Sequence, residues 1–311
     1  MPVATPIPAV LRGRPFSTAE AAQVGVSRTM LRGARFESLH NGRGVWAVRD
    51  RGPRDLTFWL AADRLALPRD AAVSYQTGLK LHGAPIDDNL RHWTTTQPVR
   101  VEMKGAVLHR RQMEAVCDID DLPVLLPLRC LLDAALIVSP LTLIRAGDAL
   151  LATKKITLAD LQGLNSAYGV QRLRTWSRWM RRGVESPRES STRVIFALGG
   201  LPEPVLNLPV YDSDGCFIGR PDFLWQKFGV TAEYDGWYHE RDAKQRHADI
   251  LRSEKFARAG LFRVALTAAD HAQPRQLVWR VWQALADHGY DGPPPQFDMQ
   301  QWWQMQRRPR R

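Results

Sequence analysis

Residues 220–242 read RPDFLWQKFGVTAEYDGWYHERD and hold the chain's densest set of groups able to do chemistry. Asp222 falls on one expected strand, 219–225, and Glu233 and Asp235 fall on the next, 230–236. Side chains alternate along a strand, so Glu233 and Asp235 share a face, and a turn near 227–229 returns that strand beside Asp222. Three carboxylates then converge. Their repulsion is removed by a divalent cation, and hard oxygen ligands of this kind suit Mg2+ or Mn2+. Glu189, on the expected helix carrying ESPRES, closes the site from the side. A cation so held would turn water into a nucleophile and neutralise charge developing on a phosphodiester. His239, just past the strand, is placed for proton transfer. A purely structural reading competes: Asp222 caps a turn, and Glu233 and Asp235 pair with arginines of the next helix. That helix carries Arg246, Asp249, Arg252 and Lys255 at spacings of three, a mixed row along one side. Against it, acids on a strand that otherwise reads as interior are costly to bury without a partner or a task.

The elements that must position these groups run α-β-β-β-α-β-α between residues 184 and 290. They are a helix at 186–199, strands at 205–211, 219–225 and 230–236, a helix at 242–259, a strand at 262–267 and a helix at 275–288. Gly260 supplies the expected left-handed stop of the long helix. Past it, Pro293-Pro294-Pro295 lead into QWWQMQRRPRR, whose last five residues include four arginines. This segment, 291–311, reads as a mobile tail making non-specific phosphate contacts. Its tryptophans Trp302 and Trp303 also allow a third reading, a protein-interaction scaffold, which leaves the interior acids unexplained.

The front of the chain is different in character. The 311 residues carry a formal net charge of +11. Residues 1–183 hold 26 basic and 16 acidic side chains, whereas 184–290 hold 13 and 14. A basic front joined to a near-neutral back suits a part that grips a polyanion and a part that holds an acidic site. Within residues 1–54, nine arginines face three acids. Ser17 and Glu20 form a capping box, Gly25 breaks the first short helix, and Ser27 caps a second, RTMLRGAR. Arg28, Arg32 and Arg35 at i, i+4 and i+7 would share one face of that helix and meet phosphates or base edges in a major groove; a solvated basic face is the plainer alternative. FESLH, a turn at residues 41–44 that includes Arg43, and VWAV read as a wing, so 1–54 is expected to be a winged-helix DNA-binding domain.

Residues 55–183 read as a small mixed domain. Helices are expected at 55–67 and 74–82, and strands around WTTTQ, VRVEM and AVLHRR. The apolar runs LRCLLDAALIV and LTLIRAGDALLA follow as core helices, then a helix that Thr157 caps. Residues 171–182 form a basic linker helix whose five arginines alternate with Trp176 and Trp179, either facing DNA or packing on the next domain. Cys117, Cys130 and Cys216 are too far apart for a disulfide framework or a cysteine zinc site, which points to a reducing, cytoplasmic setting. No apolar run reaches the roughly 18 residues of a bilayer span, and prolines interrupt MPVATPIPAVLRGRPF, so neither a membrane partner nor a signal peptide is expected.

The block from about 185 to 289 resembles the restriction-endonuclease-like PD-(D/E)xK superfamily, in particular the branch similar to very-short-patch-repair endonucleases. The likeness rests on Pro221-Asp222, on Glu233-Tyr234-Asp235-Gly236 with His239, on the Arg246/Asp249/Arg252 row and on the entry into the strand after Gly260. It implies an α/β domain with a central mixed sheet, metal ligation by Asp222 and Glu233 with the Tyr234 carbonyl, and Glu189 in the place of the first-helix acid. The superfamily's usual lysine is Asp235 here, as that branch also lacks it, so Lys255 or His239 would activate water. Arg246 and Arg252 would then face DNA. Residues 15–160, through FSTAEAAQVGVSRTMLR, GRGVWAV, AAVSYQTGLKLHG and LPLRCLLDAAL, are similar to AbiEi-type antitoxins of abortive-infection systems. That likeness implies DNA binding and a toxin or other defence-system partner.

Two functions follow as expectations. One is a metal-dependent DNA endonuclease tethered to a winged helix. The other is a non-enzymatic, antitoxin-like transcriptional regulator with a degenerate nuclease fold.

Overall fold

Ser17 opens the first helix by a reciprocal cap. Its hydroxyl accepts the Glu20 N–H at 3.1 Å and the Glu20 carboxylate accepts the Ser17 N–H at 2.7 Å, satisfying two donors that a helix start leaves orphaned. The computed structural model describes residues 6–50, 52–113, 115–164, 169–234 and 243–309, with the backbone alone at 243–250. It divides into two compact units: Met1–Leu81 with Ile86–Cys130, and His82–Pro85 with Leu131–Arg311. Residues 131–183, read from the sequence with the sheet segment before them, therefore belong with the C-terminal unit.

The first unit begins with β1 (Phe16–Ser17), α1 (Thr18–Gln23), α2 (Arg28–Leu31), β2 (Phe36–His40) and β3 (Val45–Val48). The strands form an antiparallel sheet in the order β1-β3-β2. Leu11, Phe16, Ala21, Leu31, Phe36 and Val48 close a small core between this sheet and the helices. Thr18 ties helix to sheet, its N–H donating to the Gly44 carbonyl at 2.8 Å while its hydroxyl accepts Trp46 Nε1 at 3.0 Å. The basic helix is shorter than its arginine spacing suggested. It ends at Leu31 with Arg32 as its cap, whose N–H donates to the Arg28 and Met30 carbonyls. Arg35 thus lies off the helix and shares no helical face with Arg28 and Arg32.

Next come α3 (Leu56–Ala66), β4 (Ala72–Val73), α4 (Tyr75–Leu81), β5 (Arg91–Thr95), β6 (Ala106–Arg110), β7 (Val116–Ile119) and β8 (Leu122–Leu125). These strands make a mixed sheet in the order β6-β5-β4-β8-β7. VRVEM is not one of them; it contributes only the bridge from Met103 to Ala106. Asp63, fully buried on α3, is the polar hub of this unit. Its carboxylate accepts Arg91 Nε at 2.6 Å, Arg91 Nη2 at 3.0 Å and Trp93 Nε1 at 3.1 Å. His40 at the end of β2 brings Nε2 to 3.2 Å of the same carboxylate, so the hub joins the small sheet to the larger one.

The helix α5 (Pro127–Ala134) leads into the second unit, followed by α6 (Pro140–Ala152), α7 (Leu158–Gln162), α8 (Val170–Ser177), α9 (Pro187–Leu198), β9 (Val205–Leu206), β10 (Val210–Tyr211), β11 (Phe217–Gly219), β12 (Phe223–Trp225), β13 (Val230–Tyr234), α10 (Ala243–Arg258), β14 (Phe262–Leu266), α11 (Pro274–Asp287) and α12 (Met299–Gln306). The central sheet runs β14-β13-β12-β9. β13 pairs parallel with β14 and antiparallel with β12, Glu233 standing opposite Ala265 and Ala232 opposite Phe223. Two expected strands are each broken in two. Asn207, at φ +48°, ends β9, and Pro221 separates β11 from β12, so β10 and β11 pair as a separate antiparallel ribbon.

Alternation along β13 sorts its side chains. Val230 and Ala232 enter the main core with Val194, Ile195 and Phe196 of α9 and Leu277, Val278 and Val281 of α11, leaving Thr231 and Glu233 on the face toward α10. The helix at Met299–Gln306, expected to lie in a mobile tail, is part of this core. Asp298 caps α12 by accepting the Gln300 and Gln301 N–H groups, and the i, i+3 pair Trp302 and Met305 is buried. The expected helix over 171–182 ends at Ser177, and Trp176 and Trp179 pack against the same core, which favours their structural reading. Arg193 and Asp148 form a buried pair at 3.3 Å that links α9 to α6. Among the described residues no helix is long and apolar enough to cross a membrane.

Candidate functional site

Three acids approach one another around the start of β12 and the end of β13. Glu189 sits in the first turn of α9, where Ser186 caps the helix and the partly positive N-terminus favours an anion. It is buried, and its Oε2 accepts the Glu185 N–H at 2.9 Å and Asn207 Nδ2 at 2.7 Å. Asp222 precedes β12, and its Oδ2 accepts the Tyr234 N–H at 2.8 Å. Glu233 is buried on β13, with Oε1 accepting Arg252 Nη2 and Oε2 accepting Arg263 Nε, each at 2.7 Å.

Burial raises the Asp222 carboxyl to about 6; the Tyr234 N–H and Arg252 pull it down, while the charges of Glu189 and Glu233 push it further up. The charges of both neighbours thus reach Asp222. Glu189, Asp222 and Glu233 carry three negative charges against the two guanidinium groups of Arg252 and Arg263. One surplus negative charge remains once Asp222 ionises, above about pH 6.

The described residues alone do not make a site for a divalent cation. Among the described residues no three His, Cys, Asp or Glu side chains are grouped so as to hold a metal ion. The principal correction to the sequence reading concerns Glu233: one expected ligand has both oxygens engaged by cations, one from the following helix and one from β14. Arg263 was not a sequence candidate, because its pairing with Glu233 depends on the parallel register of β13 and β14. Asp235 and His239 lie outside the described residues, as does the side chain of Arg246. Lys255 lines a cleft with Phe217, Gly219, Arg220, Arg252 and Arg258, a wall that includes none of the three acids. Its expected role beside them thus has no support in its position.

On the core side of β13 lies a second polar group. The Tyr234 hydroxyl and His271 Nε2 bond each other, and both bond Thr192 Oγ1, at 2.8 and 2.9 Å respectively. Burial lifts the Tyr234 hydroxyl to about 12 and lowers His271, which Arg145 and Arg188 depress further. Tyr234 drew attention in the sequence only for its carbonyl.

Of the arginines expected to meet DNA, Arg28, Arg32 and Arg43 are exposed on the first unit and Arg35 is half-buried. Arg252 serves Glu233 and also lines the cleft of the second unit.

A pH signature separates this cluster from an ordinary surface carboxylate. Because the folded pKa of Asp222 is raised, the folded protein binds more protons than the unfolded chain between about pH 4 and 6, and its ionisation costs stability as pH rises through that window. Asp222→Asn keeps an acceptor for the Tyr234 N–H and removes the charge. It is expected to raise the thermal midpoint at pH 7.5 and to leave it unchanged at pH 4; equal shifts at both values would contradict the assignment.

No family model matches the chain, and no curated protein matches it.

Proposed function

We propose that the protein binds duplex DNA and acts as a non-enzymatic holder, in the manner of a regulator, with a nuclease-like second unit that has no resident metal. Its N-terminal unit would bind as a winged helix, with Arg28, Arg32 and Arg43 on the phosphates. The free cysteines Cys117, Cys130 and Cys216 suit a reducing cytoplasm. The observation that carries the choice of holder over hydrolase is Glu233: both of its oxygens are bonded to guanidinium groups of the chain.

The test is binding to duplex DNA across a salt series. Phosphate contacts make log K fall linearly with log salt, and losing one contact lessens that slope by about one. Arg28→Ala/Arg32→Ala is expected to weaken duplex binding and flatten the slope, with no dependence on added Mg2+. A regulator also leaves a footprint on a particular site, for which its own upstream region is the first place to look. Slopes equal in wild type and variant would remove these arginines from the interface.

One observation favours a second reading, metal-dependent phosphodiester hydrolysis: Asp222 is raised in part by its acidic neighbours, as happens where carboxylates gather for a cation. That reading needs a donor set completed by Asp235 or His239. It requires plasmid nicking in Mg2+ or Mn2+ that Asp222→Ala abolishes.

A further inference from the structure

The β10–β11 ribbon carries two aromatic rings in water. Tyr211 is 57% and Phe217 59% exposed, and their rings meet edge to face with centroids 5.8 Å apart. Two large rings left this open on one short ribbon gain little for folding; burial would have stabilised the chain by about 1.5–3 kcal/mol for the phenylalanine alone. Beside Phe217 the ribbon and α10 form an open cleft of about 600 Å³, within the size range of ligand pockets. Among the described residues four cations, Arg220, Arg252, Lys255 and Arg258, line it with one acid, Glu254. Arg252 serves Glu233, while the pairs Arg220–Glu185 and Arg258–Glu254 are about half-exposed or more and so weak enough for a phosphate to displace. A second cleft of about 580 Å³ shares Phe217, Lys255 and Arg258, and its far wall carries Asp212 and Asp214. Tyr211 stands on this second cleft, where Lys255 and Arg258 offset the two aspartates, so an anionic chain is drawn most strongly to the Arg220 side of Phe217 and meets no net repulsion at Tyr211. The approach is tight where ribbon and helix meet: a methyl group on Gly219 would stand 2.9 Å from the Phe256 ring.

Exposed rings beside a cationic groove are what an unpaired nucleic-acid strand requires, since every base has a face to stack and every linkage a phosphate to neutralise. A paired duplex hides those base faces, and an acidic peptide would use the cations but leave the rings idle. We infer that the cleft between β11 and α10 binds unpaired DNA nucleotides, bases on Tyr211 and Phe217 and phosphates along Arg220, Lys255 and Arg258. The inference rests on the DNA-binding reading and adds a second, strand-selective site to it.

The experiment is fluorescence anisotropy of the full chain with a labelled 16-nucleotide oligo-dT and, separately, a labelled 16-base-pair duplex. Both rings are mostly in solvent, so Tyr211→Ala/Phe217→Ala leaves the fold intact, as circular dichroism would verify. It is expected to weaken oligo-dT binding about 30-fold, with duplex binding unchanged and Phe217→Trp retaining wild-type affinity. Lys255→Glu/Arg258→Glu is expected to weaken oligo-dT binding and its salt dependence together. If the duplex binds and the double alanine variant holds oligo-dT as tightly as wild type, this inference fails and the DNA-binding reading stands. If neither DNA binds, both fail. Tighter capture of an acidic peptide than of oligo-dT would overturn the strand-binding assignment.

Discussion

Replacing Asp63 with alanine is expected to lower stability by about 3–5 kcal/mol, because it strands a buried cation. Arg91 is 7% exposed and directs both Nε and Nη2 at that carboxylate. What would remain to it is the Lys104 carbonyl at 2.9 Å and the Trp59 ring, 5.0 Å from its guanidinium carbon. A cation over an aromatic face is worth about 2 kcal/mol when desolvated, less than the loss. Trp93 Nε1, fully buried, would also lose its acceptor, and His40 its neighbour. Asp63→Leu/Arg91→Met removes both charges and is expected to recover most of the loss, since an apolar pair of similar volume replaces a buried ion pair at little cost. Urea denaturation reads both variants. A loss below about 1 kcal/mol for Asp63→Ala would show that Arg91 finds water or another partner.

Glu233→Ala discriminates between the two accounts of the acidic cluster by its sign. Where carboxylates gather around a cation that is absent, deleting one relieves repulsion and stabilises the protein. Where a carboxylate answers two guanidinium groups, deleting it removes the one acid that balances both. The second sign is expected here. Arg263, at 16% side-chain exposure, dominates the loss, and Arg252, at 44%, adds little because solvent reaches it. The expected destabilisation is about 3 kcal/mol. In a double-mutant cycle with Arg263→Met, the two losses should fail to add by about 1–3 kcal/mol. A Glu233→Ala protein more stable than wild type would contradict the pairing.

These effects depend on contacts that differ in how far a sequence displays them. The capping boxes at Ser17/Glu20 and Thr157/Asp160 are local, and a helix start needs little beyond them. The alternation of helices and strands in the C-terminal unit, apart from the two strands that break, and the placing of Asp222 beside Glu233 were legible from strand alternation and turn spacing. The balancing charge was not. Arg263 reaches Glu233 from a parallel strand 30 positions later, across a helical connection. Asp63 reads as the polar face of an amphipathic helix, and its partners lie 28 and 30 positions away. Asn207 broke a strand because a left-handed residue there lets its amide serve both Gly183 and Glu189, a distant demand written in one residue. The arginine spacing at Arg28, Arg32 and Arg35 assumed a helix longer than the single turn, Arg28–Leu31, that forms. Proline and arginine content made the last segment look like a tail, whereas Trp302 and Met305 at helical spacing, after the Asp298 cap, mark a docked helix.

Glu233 answers two guanidinium groups of the chain, Arg252 and Arg263, which leaves it no oxygen free for a cation. Calorimetric titration of manganese into wild type and into Glu233→Ala tests that pairing most directly. The account predicts no saturable heat from either protein at submillimolar metal and pH 7.5. A one-to-one isotherm in wild type that Glu233→Ala abolishes would contradict it and restore the hydrolase reading.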